Sequence, residues 1–145
     1  MLIEDSYKQT GKLHIVVFDA NGVKKEVFTP NLVTTVGKQT TQSILTGQTP
    51  ASGYVNAMQV GTGSTAVTAA DTALGASVYT QSTYSVTAVG AVITHIATFP
   101  IGSINAAITE AGLFNGTTMF ARTVFPTLNI TSADGIQITW QITQN

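Results

Sequence analysis

Hydrophobic and polar positions alternate with a period of two along much of the chain, the mark of strands that lie half in a core. The alternation is strictest near the C-terminal end. There Ile136, Ile138, Trp140 and Ile142 interleave with Gln137, Thr139, Gln141 and Thr143, which predicts a strand with one apolar and one wet face. Leu13–Asp19 reads as a strand by its β-branched and aromatic content. Asn21-Gly22 then supplies the positive-φ pair of a tight turn, and Val23–Thr29 returns. On that return Val23, Lys25 and Val27 share one face, Lys24, Glu26 and Phe28 the other, and Pro30 is expected to end it. Tyr54–Val60 is a further strand. Val78–Ala88, a turn near Val89-Gly90 and Ala91–Phe99 make a broad hairpin. Its return strand is apolar on both faces, so both are expected to be covered. Asn105–Phe114 and Thr117–Phe125 flank Asn115-Gly116, a second hairpin signal.

One stretch breaks the two-residue rhythm. Leu32, Val33, Val36, Ile44 and Leu45 show helical spacing, which predicts a short helix over residues 36–46, capped by Thr34 or Thr35 and closed by Gly47. Its Thr40-Thr41 pair lowers the propensity, so packing has to hold it. Gly61–Leu74 reads as a long loop with one helical turn after Asp71. About seven strands with regularly spaced turns predict a mainly β protein, an antiparallel β-sandwich with one short helix. No linker, charge run, low-complexity block or repeat divides the chain. It is read as one domain over residues 1–145, with 1–30 as an N-terminal hairpin arm and 31–145 as the main body.

Composition sharpens this picture. Only 9 % of the 145 residues are Asp, Glu, Lys or Arg, while 43 % are apolar and 25 are threonine; soluble domains average about 25 % charged. The net charge of −1 gives no basic excess for a phosphate backbone, so nucleic acid is not an expected partner. With no cysteine there is no disulfide framework and no thiol chemistry. Apolar runs fall well short of the ~20 residues of a membrane-spanning helix. The start, Met1-Leu2-Ile3-Glu4-Asp5, lacks the basic and apolar regions of a signal peptide, so synthesis in the cytoplasm of the producing cell is expected. Charge is also unevenly placed. Lys8, Lys12, Asp19, Lys24, Lys25, Glu26 and Lys38 fall early, whereas from Gln39 to Thr109 the only formal charge is Asp71. Either Thr, Ser, Gln and Asn solvate that stretch, or other subunits cover it, because strand edges without charged gatekeepers are open to pairing.

Candidate chemistry is thin. Gly61-Thr62-Gly63-Ser64-Thr65-Ala66 looks like a dinucleotide fingerprint, but no long amphipathic helix follows and no acidic residue waits ~20 positions on. Gly37-Lys38-Gln39-Thr40 resembles a P-loop ending, yet Leu32 stands where the first Gly belongs and Gln39 where Ser or Thr does. His14 and His95 lie in predicted strands with no cluster of metal ligands around them. A triad of His95, Asp71 and a serine lacks the Gly-x-Ser-x-Gly elbow. Paired carboxylates would have to come from Asp19, Asp71, Glu110 and Asp134, and Asp71 also fits a cap for Thr72-Ala73-Leu74. Glu110 and Arg122 depend on hairpin register. A two-residue Asn115-Gly116 loop sets Glu110 opposite Ala121, and a three-residue loop or bulge sets it opposite Arg122 as a structural ion pair.

Three stretches, in this order, resemble a family of small virion proteins of tailed bacteriophages. They are Asn31-Leu32-Val33-Thr34-Thr35-Val36-Gly37-Lys38 with the helix after it, then Val60-Gly61-Thr62-Gly63-Ser64-Thr65-Ala66 on to Asp71-Thr72-Ala73-Leu74. The third is Ile108-Thr109-Glu110-Ala111-Gly112-Leu113-Phe114-Asn115-Gly116 with Met119–Phe125, ending in Ile136-Gln137-Ile138-Thr139-Trp140. The resemblance spans roughly residues 31–142. Family members are similar to capsid decoration (cement) proteins and to domains of tail or head fibres. The resemblance implies a non-enzymatic structural role, homo-oligomers, often trimers, and attachment to the major capsid protein or other virion proteins. Fibre members usually run on into a repetitive shaft, so a chain ending at Asn145 points toward capsid decoration. The expectation is therefore a protein of the virion surface, made in the host cytoplasm, with no catalytic, cofactor or metal residue. Gly61, Gly63, Asp71, Glu110, Gly112, Asn115, Gly116, Arg122 and Trp140 are its structural motif residues, and the charged region from Glu4 to Lys38 supplies polar contacts. The alternatives are a tail, baseplate or fibre component, or a receptor- or glycan-binding module with Tyr54, Tyr79 and Tyr84 as a polar-aromatic surface.

Overall fold

The computed structural model describes residues 8–47 and 54–145, with the backbone only of Ile44 and Leu45. The elements are β1 (Gln9–Asp19), β2 (Gly22–Val33), α1 (Thr35–Leu45), β3 (Ala57–Gly61), β4 (Ser77–Gln81), β5 (Tyr84–Val89), β6 (Val92–Phe99), β7 (Ala106–Asn115), β8 (Thr118–Ile130) and β9 (Gly135–Gln144). The nine strands form one antiparallel sheet in the order β4-β3-β7-β8-β2-β1-β9-β6-β5. β2 joins its two halves: it pairs with β1 from Gly22 to Asn31, but with β8 only at Leu32 and Val33. The sheet curls there, and the apolar faces of the halves meet. Leu13, Ile15, Ile138 and Trp140 of β1 and β9 share a core with Val60, Ile108, Leu113 and Leu128 of β3, β7 and β8. The outer ends of the sheet also approach each other. Gln81 Nε2 donates to Thr98 O at 2.8 Å, Tyr79 lies edge-on to Phe99, and the Tyr84 hydroxyl donates to Val55 O. The result is the expected mainly β, antiparallel sandwich with one short helix.

The β1–β2 hairpin is not an arm. β1 lies between β2 and β9, pairing with β9 from Gln9 to Phe18, and buries Leu13, Ile15 and Val17. Alternation marks those residues for burial, but nothing local shows that the last strand of the chain covers them. The turn encloses Ala20 and Asn21, and only Gly22 takes a positive φ, 127°. A bulge leaves Lys24 with no residue opposite it on β1, so Val23 stands opposite Phe18, off the face of Lys25 and Val27. Pro30 does not end β2. It pairs with Lys12, and the other edge of β2 carries no ladder until Leu32, so a missing amide is tolerated. Glu4 and the Met1–Asp5 start lie outside the described residues.

α1 begins on Thr34, whose Oγ1 accepts the Gly37 amide at 3.0 Å and donates to Met119 O at 2.8 Å. Leu32 and Val33 belong to β2. The helix lies close on β8: a Cβ at Gly37 would stand 2.1 Å from Phe120 O. Residues 78–88 are not one strand. Gln81 Oε1 accepts the Thr83 amide at 3.1 Å, the chain turns there, and β4 joins β3 while β5 joins β6. β6 buries His95, Ala97 and Phe99, whereas Thr98 is exposed and Thr94 and Ile96 are half-buried, so within this chain only one face is fully covered. The turn before β6 is Gly90-Ala91. No helical turn follows Asp71.

Candidate functional site

The expected motif residues converge on the β7–β8 hairpin and the loop over residues 62–76. The place of the turn and one bulge near Phe120 set the register here, giving Glu110 opposite Val124 and Gly112 opposite Arg122; a second irregularity follows only beyond Glu110. Neither anticipated register occurs, because the loop is Gly116-Thr117, with Asn115 paired to Thr118, and an extra residue enters β8 near Phe120. Glu110 and Arg122 become diagonal neighbours, a spacing that long side chains bridge. Both are buried, at 0 % and 2 % exposure.

Glu110 is an acceptor for the loop. Oε1 takes the amides of Gly63 (2.8 Å) and Ala76 (2.9 Å), and Oε2 takes that of Gly75 (3.0 Å). Arg122 adds Nε at 3.1 Å and Nη2 at 2.9 Å to the same Oε2. Its other donors reach Asp71 Oδ2 at 2.8 Å and Thr65 O at 3.0 Å. Thr109 Oγ1 closes the ring on Gly63 O at 2.8 Å. The glycines are dictated by this approach: a Cβ at Gly63 would lie 2.4 Å from Glu110 Oε1, and one at Gly61 would lie 2.4 Å from Ala76 O. At Gly112 a Cβ would press on Phe114 Cε2 at 2.7 Å and Leu74 Cδ2 at 3.1 Å. Paired glycines in a Gly-x-Gly loop therefore serve a carboxylate of the protein itself.

Burial alone would push the Glu110 carboxyl up. The Ala76 and Gly75 amides, Arg122 and the Gly63 amide outweigh it and hold the group below its ordinary range. Asp71 follows the same logic: burial raises it, and the Thr68 amide and hydroxyl with Arg122 bring it lower. Burial disfavours the Arg122 charge, but Asp71 and Glu110 raise its pKa above the usual value. An acid–base pair of carboxylates needs one member protonated; here both are driven toward ionisation around one guanidinium, which suits a clamp.

Asp71 does not cap a helix. Its oxygens accept the Thr68 amide at 3.0 Å and hydroxyl at 2.8 Å. The same device recurs at Asp134, which accepts the Thr131 amide and hydroxyl, both at 2.9 Å, and the Lys24 ammonium at 2.8 Å. Lys24 and the Thr131 amide hold the Asp134 carboxyl down at about 2. This second Thr-x-x-Asp turn escaped the sequence reading, although its spacing repeats the first.

The remaining candidates sit apart. Trp140 is buried and donates Nε1 to Asn31 Oδ1 at 3.0 Å. Asn115 is buried at the hairpin tip, and Gly116 takes a φ of 60° and donates its amide to Asn56 Oδ1. His14 stacks on Phe28 at 4.3 Å and meets Glu26 at 3.1 Å. His95 lies beside Tyr84, not Asp71, and burial lowers it to about 4. Asp19 accepts the Asn21 amide in its own turn. Lys38 is an exposed residue of α1. Of the three tyrosines only Tyr54 is exposed, so they do not form one open aromatic surface. Among the described residues no three His, Asp or Glu side chains are grouped to hold a metal, and no helix is long and apolar enough to cross a membrane. Comparison with protein-family models, with curated proteins and with solved structures found no match.

Proposed function

We propose that this chain is a non-enzymatic structural protein of a tailed-bacteriophage virion, a decoration protein that binds the major capsid protein and further copies of itself on the outer shell. One observation carries the reading. Residues from the second and third stretches of the resemblance, distant in sequence, are spent on one clamp, in which Glu110 and Arg122 fix the 62–76 loop on the β7–β8 hairpin. The first stretch packs against the same hairpin through Thr34 and Gly37. A loop fixed before association costs less ordering entropy when it is buried against a neighbour. That loop also belongs to the stretch whose only formal charge, Asp71, is already paired within the chain, so burying it desolvates few charges.

Mechanically, such a protein adds contacts across capsomer junctions of a shell under internal pressure. Buried apolar area contributes roughly 25 cal/mol per Å² before association costs are subtracted. The test is quantitative mass spectrometry of purified particles, with labelling to locate the protein. Hundreds of copies on the head, and heads that rupture at lower temperature without it, are expected. A few dozen copies confined to the tail would move it to the tail, baseplate or fibre class, and absence from particles would end the virion reading.

A further inference from the structure

The sheet leaves several strand edges unpaired among the described residues, and they are not alike. The open edge of β2 carries Lys24, Lys25, Glu26 and Pro30, and the open part of β8 carries Pro126. Charges and prolines of this kind keep edges from pairing. β4 is turned onto the opposite end of the sheet through Gln81. β5, Tyr84-Ser85-Val86-Thr87-Ala88-Val89, closes the other end with no charge and no proline. Its geometry can be followed from the turn. The two-residue loop Gly90-Ala91 makes Val89 and Val92 a hydrogen-bonded pair, so Thr87 and Ser85 also bond to β6. Tyr84, Val86 and Ala88 therefore point their amides and carbonyls away from the sheet.

A second observation lies under the same edge. A cavity of about 520 Å³, mostly apolar, opens between Tyr54, Val86, Ile93, His95 and Phe120. Tyr54 and Val86 at its mouth are 76 % and 50 % exposed.

We infer that two copies of this chain join through β5, antiparallel, about a two-fold axis at Val86. The outward-pointing set Tyr84, Val86 and Ala88 is symmetric about its centre, so Val86 meets the second copy's Val86 and Tyr84 meets its Ala88. Self-pairing at a two-fold axis requires a surface that complements itself. Here it brings no like charges together, since Asp71 is the only formal charge from Gln39 to Thr109. It also sets the second copy's Val86 beside the first copy's cavity mouth. The inference stands apart from the virion reading, because it concerns the free chain in solution. It differs from the three-fold assembly that the resemblance implies, since an antiparallel edge pair takes two chains.

Sedimentation of the full chain is expected to give a dimer. Val86→Pro removes an amide that bonds nothing among the described residues, and is expected to weaken association at least 100-fold with an unchanged circular dichroism spectrum. The chain has no cysteine, so cross-linking is clean. Ser85→Cys with Thr87→Cys is expected to give a disulfide-linked dimer on mild oxidation, and neither single variant should. If Val86→Pro does not fold, hydrogen exchange on the unaltered chain decides: protected amides at Tyr84, Val86 and Ala88 support the pairing. A monomer, a trimer, a dimer indifferent to Val86→Pro, or fast exchange at those amides overturns it, as does protection that arises only when another virion protein is added.

Discussion

Arg122 is the residue on which most of the buried polarity turns. It is one of 6 basic residues in the chain, and it is buried with two carboxylates around it. Removing a partner from a buried ion pair costs about 3–5 kcal/mol, because the remaining charge loses its compensation. Glu110→Ala is therefore expected to lower unfolding stability by that amount in urea titrations and to make the 62–76 loop cleavable by thermolysin. A second residue-scale expectation concerns pH. His95 is lowered to about 4 by burial, while in an unfolded chain it titrates near 6.5. Between those values the unfolded chain binds more protons, so stability falls as pH drops from about 6.5 to about 4, by up to ~1.4 kcal/mol per unit. Asp134 works in a lower window: its contribution is whole above the ordinary carboxyl range and is lost as pH falls toward about 2. Urea midpoints across pH 3–7 should show both declines, and His95→Phe should flatten the upper one only. At this scale the sequence named Glu110 and Arg122 as partners, but the place of the turn and one bulge, invisible in residue identity, decided how they meet.

Among the elements, α1 shows how a weak local signal becomes definite through packing. Thr40 and Thr41 donate their hydroxyls to the carbonyls of Val36 and Gly37, a back-bonding that slightly weakens a helix already short of strong formers. Its start is fixed by Thr34, which serves the helix and β8 at once. Thr34→Ala is expected to cost about 1–2 kcal/mol, seen as a lowered thermal midpoint. The strands β1 and β9 were legible from their residue types and alternation, whereas β6 was legible as a strand but not as one with a single buried face, because both of its faces carry apolar residues. The break between β4 and β5 was not legible. Val78 to Ala88 holds no glycine, proline or charge to mark a turn, and the break shows only in the Gln81–Thr83 contact and the diverging pairings with β3 and β6.

For the whole molecule, the ordering of strands matters more than their identity. β1 pairs with β9, so the first and last of the described strands meet inside the sheet and not at its edge. A version lacking residues 1–30 would expose β9 along its length and strip Trp140 of its neighbour Leu13. It is expected to show no cooperative unfolding transition and red-shifted tryptophan emission. Read alone, the sequence determined the fold class, the single helix, the half-buried last strand and the residue types of the clamp, because period, capping and buried charge are written in local chemistry. Tertiary structure decided which strands neighbour one another, where the bulges fall and which loop the carboxylate holds. Those depend on pairings between distant segments, whose backbone hydrogen bonds carry no mark of the side chains that make them.

The physical core is a buried carboxylate that three loop amides and one guanidinium keep ionised. Were Glu110 replaceable by alanine without loss, the 62–76 segment would owe its place to something else.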